Sequence, residues 1–293
     1  MKSRVCIISD HHDWHSYNLK KEFLKKGAEV DLLYFSDISI IINNQKSIIL
    51  FKNKIIKYNG AWIRFISSGS IEEITFKLTT LHLMNEIGIY MHNPADVIEK
   101  SIDKSRTTAI LKISGINSPN TWVLNNLNEA EKIGKKNIHK NIDLLVKPML
   151  GSQGKGIELL KKISDLRIFA KKNNIFYLQK FIGCVENKTH FDYRVLVSNH
   201  KIISIIKRTS NNIITNAFQG ANVERIDCFK QFIEISEKVS KIFKLSYGGL
   251  DLKIHRNKIY LIEINSIPSW KAMQTVEQRN ITKILVADFL KLI

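Results

Sequence analysis

Three oxygen-bearing side chains, Asp251, Glu263 and Asn265, stand in two otherwise apolar runs, Gly248-Gly249-Leu250-Asp251-Leu252-Lys253-Ile254 and Ile259-Tyr260-Leu261-Ile262-Glu263-Ile264-Asn265, joined by His255-Arg256-Asn257-Lys258. The runs read as two strands around a polar turn. Burying such groups costs several kcal/mol each unless a partner is supplied. Glu263 and Asn265 are two apart and share a strand face. If the turn register sets Asp251 opposite, three hard oxygen donors converge, a set suited to Mg²⁺ shared with nucleotide phosphates, with Mn²⁺ as an alternative ion. The other reading of this stretch alone is a half-exposed hairpin with an ordinary polar face.

A second landmark is Leu144-Leu145-Val146-Lys147-Pro148, the loop Gly151-Ser152-Gln153-Gly154-Lys155-Gly156, and Ile157-Glu158-Leu159-Leu160. No Ser or Thr follows Lys155 and both flanks read as strands, which argues against a Walker A loop. A glycine hairpin tip fits better, its backbone N–H groups around Ser152 and Gly154 closing over phosphates and Lys147 reaching them as a point charge. A flexible β-turn is the plain alternative. The strand at 176–182 carries Gln179, Lys180, Phe181 and Ile182, whose backbone is placed to pair with the edge of an adenine ring. Asp192 and Arg194 then share one face of a strand, and Arg208 ends the next.

These stretches need a scaffold. Residues 5–9, 17–26 and 29–35 read as strand, helix and strand, which predicts a parallel sheet with a crossover helix. His11-His12-Asp13-Trp14-His15 falls at the carboxyl end of the first strand, where open α/β sheets put their ligands. Adjacent loop histidines seldom share an ion, so His15 is expected to hydrogen-bond a substrate or to serve as helix-start polarity. Arg64, the one charge in Gly60-Ala61-Trp62-Ile63-Arg64-Phe65, is salt-bridged structure or a fork for a carboxylate or phosphate, and the fork is favoured. Asn93, after the short strand 89–91, and Ser266 and Trp270, in the loop after Asn265, complete the candidate substrate contacts. Trp270 either stacks on a ring or plugs the core. Helices are expected at 71–87, 103–115, 129–136, 164–173, 229–243 and 281–293, and hairpins at 48–58 and 191–208.

At 293 residues the chain is long enough for two or three compact domains. Its 44% hydrophobic and 25% charged content are those of an ordinary soluble globular protein. No apolar run approaches the ~20 residues that span a bilayer, so no membrane partner is expected. The first ten residues read as a strand, not a signal peptide. Cys6, Cys184 and Cys228 lie far apart without CxxC pairing, which points to a reducing cytoplasm. The net charge of +18 draws in polyanions. Its lysines are spread over the whole length, with no base-reading basic helix and no aromatic–glycine RNA signature. An acidic small substrate or acidic protein partner is expected, and nucleic acid is not.

Five passages come in one order: Asp103-Lys104-Ser105-Arg106-Thr107 with Gly115-Ile116-Asn117-Ser118-Pro119, Val146-Lys147-Pro148 with the glycine loop 151–156, Gln179-Lys180-Phe181-Ile182, Asp192-Tyr193-Arg194, and Gly249-Leu250-Asp251 with Glu263-Ile264-Asn265. This order resembles the ATP-grasp superfamily and, within it, the RimK-type amino-acid ligases, over nearly the whole chain. The resemblance implies an α/β ATP-grasp fold behind an N-terminal parallel-sheet domain, divided as 1–98, 99–180 with the glycine hairpin, and 181–293 with the metal ligands. It implies ATP held between two lobes, with Lys104 and Lys147 on the phosphates, Lys180 and Phe181 on the adenine, Asp192 on the ribose and Asn216 near the nucleotide. Asp251, Glu263 and Asn265 would bind Mg²⁺.

The implied chemistry has two steps. A carboxylate attacks the γ-phosphate of ATP to give an acylphosphate, and an amine then displaces phosphate to form an amide. Arg194 and Arg208 suit the acylphosphate and the tetrahedral intermediate, since guanidinium forks match such oxygens. The chain departs from the family pattern at Lys180, where a Glu is common. The run Asn265-Ser266-Ile267-Pro268-Ser269-Trp270-Lys271-Ala272 is more similar to relatives that add glutamate to pterin or deazaflavin coenzymes than to those that glutamylate a ribosomal protein. The expectation is a cytoplasmic homo-oligomer joining an amino acid, glutamate foremost, to a carboxylate-bearing coenzyme. A protein or acidic carrier-protein C-terminus is the alternative acceptor. The competing readings are a subunit that senses ATP without turning it over and a nucleic-acid-binding protein with a vestigial ATP site.

Overall fold

A computed structural model of the chain describes residues 2–44, 46–151, 154–171, 174–183, 185–186, 189–216 and 219–293. Four apolar residues in a row, Val5 to Ile8, give β1 (Arg4–Ser9) no polar face, so both of its sides must be covered. After it come α1 (Trp14–Lys25), β2 (Glu29–Tyr34), the antiparallel trio β3 (Ile38–Asn43), β4 (Lys46–Phe51) and β5 (Lys54–Ile55), then β6 (Gly60–Phe65), α2 (Ile71–Glu86) and β7 (Tyr90–Met91). The four long-range partners form a parallel sheet in the order β2-β1-β6-β7. Val5, Ile7 and Trp62 point to one face, with Leu19 and Phe23 of α1 and Phe289 near the C-terminus. Cys6, Ile8, Ala61 and Ile63 point to the other, with Leu81 and Met84 of α2 and Ile38 and Ile49 of the trio. The predicted parallel sheet is present. Strand β3 and the helix α3 (Ala95–Ile102) are elements beyond those expected from the sequence.

α4 (Lys104–Ile113) leads to β8 (Thr121–Leu124), α5 (Leu127–Ile138), β9 (Leu144–Lys147), β10 (Glu158–Leu159), α6 (Ile163–Ala170) and β11 (Phe176–Lys180). Their sheet runs β10-β9-β11-β8, antiparallel throughout. Period-2 alternation sorts it: Leu144, Val146 and Leu178 pack on α5 and α6, which turns Leu145, Lys147 and Gln179 to the opposite face.

The last sheet is built from β12 (Val185–Glu186), β13 (Thr189–Ser198), β14 (Lys201–Ser210), β15 (Asn222–Arg225), then, after α7 (Lys230–Phe243), β16 (Tyr247–His255) and β17 (Lys258–Asn265); α8 (Lys271–Gln274) and α9 (Ile281–Leu290) follow. Its order is β15-β14-β13-β16-β17, with β12 beside β13. Val195, Val197, Leu250 and Leu252 pack against Phe232, Val239 and Phe243 of α7. On the opposite face Leu196 and Ile206 join the core that holds Trp270 and Phe289, and the far end of that same face carries the charged residues.

One buried group sets an acid limit on this packing. His92 is fully buried, stacked on Tyr247 at 4.7 Å, and neither ring nitrogen has a hydrogen-bond partner among the described residues. Burial pushes its pKa down to about 3 from 6.5. The unfolded chain therefore takes up a proton below pH 6.5 that the native state refuses. Stability should be full above that pH and fall by roughly 1.4 kcal/mol per unit as pH drops toward 3. His92→Phe should flatten that slope relative to wild type in urea titrations between pH 7 and 4; parallel slopes would refute it.

Candidate active site: a cationic cleft between two sheets

The β16–β17 hairpin turns at Arg256 and Asn257, both in the left-handed region at φ 49° and 59°. A two-residue turn of this kind fixes the register, pairing His255 with Lys258 and Leu252 with Leu261. Continued without interruption, it would set Ile262 opposite Asp251 and send Glu263 to the α7 side. A register shift at that point pairs Asp251 with Glu263 and Gly249 with Asn265 instead. The bulge is what brings the second carboxylate to the same face as the first. Gly249 permits the next loop to pass close by: a Cβ there would lie 3.1 Å from Pro268.

Across that face the side chains interleave by charge. Arg194 lies opposite Asp251 and Arg208 opposite Asp192. The Arg194 Nε and Nη2 each donate at 2.6 Å to the two oxygens of Asp251. Arg208 forks Asp192 at 2.7 and 2.6 Å, and its Nη2 also lies 3.1 Å from Asp251. The Thr215 hydroxyl donates to Asp192 at 2.6 Å. Burial opposes ionisation of Asp251, but the two guanidiniums outweigh it and hold the carboxyl below its usual range. Glu263 goes the other way, raised by burial and then by the facing Asp251 carboxylate.

Opposite this row stands the face of the central sheet. Lys147 is 6% exposed and donates to the Gln179 Oε1 at 2.6 Å. Burial lowers its pKa to about 8, with Lys104 and Lys253 adding to the effect and Glu263 opposing it. Lys104, at the start of α4, donates to the Gly151 carbonyl at 2.8 Å, and burial lowers its pKa as well. Gly154 sits at φ +73°, its Cα so close to Ile214 that a Cβ would lie 2.7 Å from it. Gly154 thus meets the segment 213–216 at the rim of the cleft.

The space between the two sheets, counting the part open to solvent, is about 860 Å³. Its lining brings together Lys104, Lys147, Gly154, Gln179, Lys180, Phe181, Ile182, Asp192, Arg208, Asn216, Asp251 and Glu263, all candidates from the sequence. Six cationic side chains face three anionic ones (Lys104, Lys147, Lys155, Lys180, Lys253 and Arg208 against Asp192, Asp251 and Glu263), an excess that suits a polyphosphate. Arg194 is held behind Asp251 and Asn265 lies at the end of β17. Ser152 falls outside the described residues.

The structure revises several expectations. Asp192 is bound through both oxygens to Arg208, which makes it a support for that arginine more than a hook for ribose. The N–H groups of Lys180 and Phe181 donate to the carbonyls of Asn120 and Asp143, so they are not donors to a base. The substrate candidates Arg64, His15, Asn93, Ser266 and Trp270 lie apart from the cleft lining. Trp270 is fully buried and donates to Thr282 at 3.0 Å, so it plugs the core. Asn93 ties the carbonyls of Tyr247 and Ser266 to the N-terminal sheet, and Ser266 accepts from Ser101. The His15 Nε2 accepts from the backbone of Trp270 and Lys271, while its Nδ1 and the Arg64 Nη2 both meet Asp13. Arg64 is therefore salt-bridged structure, the less favoured of its two readings. Sequence reading missed Lys253, two residues past Asp251 on the same face and 5.1 Å from the Phe181 ring centre. That spacing was the signal for it.

The donor set fits a hard divalent ion. Among the described residues no three His, Cys, Asp or Glu gather. Two carboxylates and an amide are too few for a self-sufficient cage, and Mg²⁺ fills the remainder with waters and phosphates. The Asn265 side-chain nitrogen is buried without a partner among the described residues, and Glu263 is crowded by Asp251, so the site has unmet polar capacity for an ion and its oxygens.

A RimK-like ATP-grasp domain matches residues 101–289, and the chain belongs to that family of ATP-dependent ligases. The tetrahydromethanopterin:alpha-L-glutamate ligase of Methanococcus maripaludis is 28% identical over 98% of both chains. The coenzyme gamma-F420-2:alpha-L-glutamate ligase of the same organism is 24% identical over 89% of each. The alpha-aminoadipate–LysW ligase LysX of Saccharolobus solfataricus is 24% identical over 93% of this chain and 96% of that one. Among solved structures, the ATP-grasp ligase PsnB with its minimal precursor superposes at a TM-score of 0.76 with 17% identity, covering 100% of this chain and 99% of that one. No helix among the described residues is long and apolar enough to cross a membrane.

Proposed function

We propose that this ligase uses ATP and Mg²⁺ to join L-glutamate to a carboxylate-bearing coenzyme of the pterin or deazaflavin type, releasing ADP and phosphate. The observation that carries the chemistry is the pair Asp251 and Glu263 facing Lys147 and Lys104 across one cleft. Lys147 and Lys104 neutralise the phosphates, and Arg208, braced by Asp192, presents its guanidinium where charge builds on the transferred phosphoryl group and the acyl oxygen. Arg194 fixes the Asp251 carboxylate. Mg²⁺ on Asp251, Glu263 and Asn265 would supply a further charge to the phosphate oxygens. The acceptor class is supported by the relatives matched over almost their whole length. A second acceptor, an acidic carrier protein, is supported by the net charge of +18 and the likeness to LysX.

Incubation with ATP, glutamate and each acceptor in turn should give ADP and phosphate together with a product heavier by one or more glutamyl residues. AMP and pyrophosphate as the only nucleotide products would reject the mechanism, and ADP formation with a carrier protein alone would move the acceptor to the second reading. In the same assay Glu263→Gln should lower turnover by about 10²-fold through loss of an ion ligand; full turnover would reject the metal assignment.

A further inference from the structure

Gln179 lies in the cleft lining yet is buried, and both ends of its amide are committed inside the protein. Strand pairing sets Thr121 of β8 directly opposite Gln179, and Lys147 of β9 opposite Tyr177, which shares the Gln179 face of β11. The amide oxygen accepts from the Lys147 ammonium at 2.6 Å. The amide nitrogen donates to the hydroxyls of Thr121 at 3.0 Å and Tyr177 at 3.1 Å. Both ends of this chain demand the same orientation. An ammonium can only donate, so it requires the oxygen. Thr121 gives its one proton to the Pro119 carbonyl at 3.0 Å, so it can only accept from Gln179 and requires the nitrogen. The buried Tyr177 hydroxyl continues the chain to Thr108 at 2.8 Å, one turn along α4 from Lys104.

We infer that Gln179, locked by Thr121 and Tyr177, is a positioning residue that aims the Lys147 ammonium at the nucleotide phosphates, an inference that rests on the reading of the cleft as an ATP site. The need for a tether comes from the charges around Lys147. Glu263 and Asp251 attract the ammonium, while Lys104 and Lys253 repel it. Left to these, Lys147 would be drawn to the carboxylates and away from the phosphates. The amide oxygen holds the side chain by one N–H and, being uncharged, leaves two N–H donors and the whole positive charge to the phosphates. A carboxylate at position 179 would bind the same ammonium as an ion pair and take that charge for itself.

Steady-state kinetics of the full chain against ATP concentration, over the range of about pH 6.5 to 9.5, test this. Gln179→Glu should raise KM for ATP about tenfold with little change in kcat, and should move the alkaline limb of kcat/KM up by about one pH unit, because a carboxylate favours the protonated lysine. Gln179→Met, similar in size but without the acceptor, should also raise KM and should move the limb down. Damage to the fold would displace both variants the same way, so opposite displacements mark an effect carried by Lys147. Thr121→Val should raise KM about threefold through loss of the lock, and Thr121→Ser should restore it. Calorimetry with a nonhydrolysable ATP analogue, which involves no turnover, should show the same order of weakening. If both Gln179 variants keep the wild-type KM and limb while Lys147→Met is impaired toward ATP, the inference is overturned and the ATP reading stands. If Lys147→Met keeps the wild-type KM, the two fall together.

Discussion

Arg208→Met is expected to lower turnover on the order of 10³-fold, the scale at which a guanidinium on a transferred phosphoryl group acts, and to destabilise the fold by about 3–5 kcal/mol. The second effect follows from burial. Arg208 is 3% exposed and lies between two carboxylates, so removing it leaves Asp192 with the Thr215 hydroxyl alone as a described partner and strips Asp251 of one of two cations. An uncompensated buried charge is far more costly than a missing ion pair. The double variant Arg208→Met/Asp192→Asn should therefore regain most of the stability while turnover stays low. Arg208→Lys should fall between, keeping a charge but losing the fork. Urea titrations and ADP release measure the two quantities separately. If Asp192→Asn restores no stability, the carboxylate was not the buried liability; if Arg208→Met turns over normally, Arg208 does not meet the reacting groups.

That network is only half legible in the sequence. The i, i+2 spacing of Asp192 and Arg194 placed them on one face, and Arg208 was legible as the end of the next strand. Which residue faces which depends on strand register across sequence separations of 16 and 57 residues. Asp192 was read by family role, and only the pairing of β13 with β14 shows it committed to Arg208. The β16–β17 hairpin is the most legible element because its two-residue turn is local, yet the bulge between Asp251 and Leu252 is a tertiary choice with no mark in the residue types.

The substrate candidates lie apart from the cleft lining for a related reason. A carboxyl-end loop on a parallel sheet is where ligands bind in general, so His15 and Arg64 were plausible there. In this chain the loop after β17 and helix α9 pack on the N-terminal sheet, and Trp270, Phe289, Val5 and Trp62 share one core. Polar groups trapped at that seam had to satisfy one another: Arg64 with Asp13, His15 with the backbone of Trp270 and Lys271, Asn93 with the carbonyls of Tyr247 and Ser266. A contact across 255 residues of chain leaves no periodic trace in the sequence.

Lys147 makes the sharpest claim about the nucleotide, because its charge is tunable in the range where assays run. With its pKa lowered to about 8 by burial and by neighbouring lysines, the free enzyme holds the cation at pH 7 and loses it above pH 8. The catalytic efficiency kcat/KM for ATP should fall about tenfold per pH unit beyond that point, since it reports the free enzyme. Bound phosphates favour the protonated lysine, so kcat at saturating ATP should stay level to higher pH. Unfolding cannot mimic this pattern. A lysine whose native pKa lies below the unfolded value of 10.5 is proton-poor in the native state between pH 8 and 10.5, and stability from this group rises across that window. Lys147→Met should cost on the order of 10²–10³ in kcat/KM at pH 7 and abolish the alkaline limb. A limb that persists unchanged in Lys147→Met would assign it to another group and remove Lys147 from the phosphates.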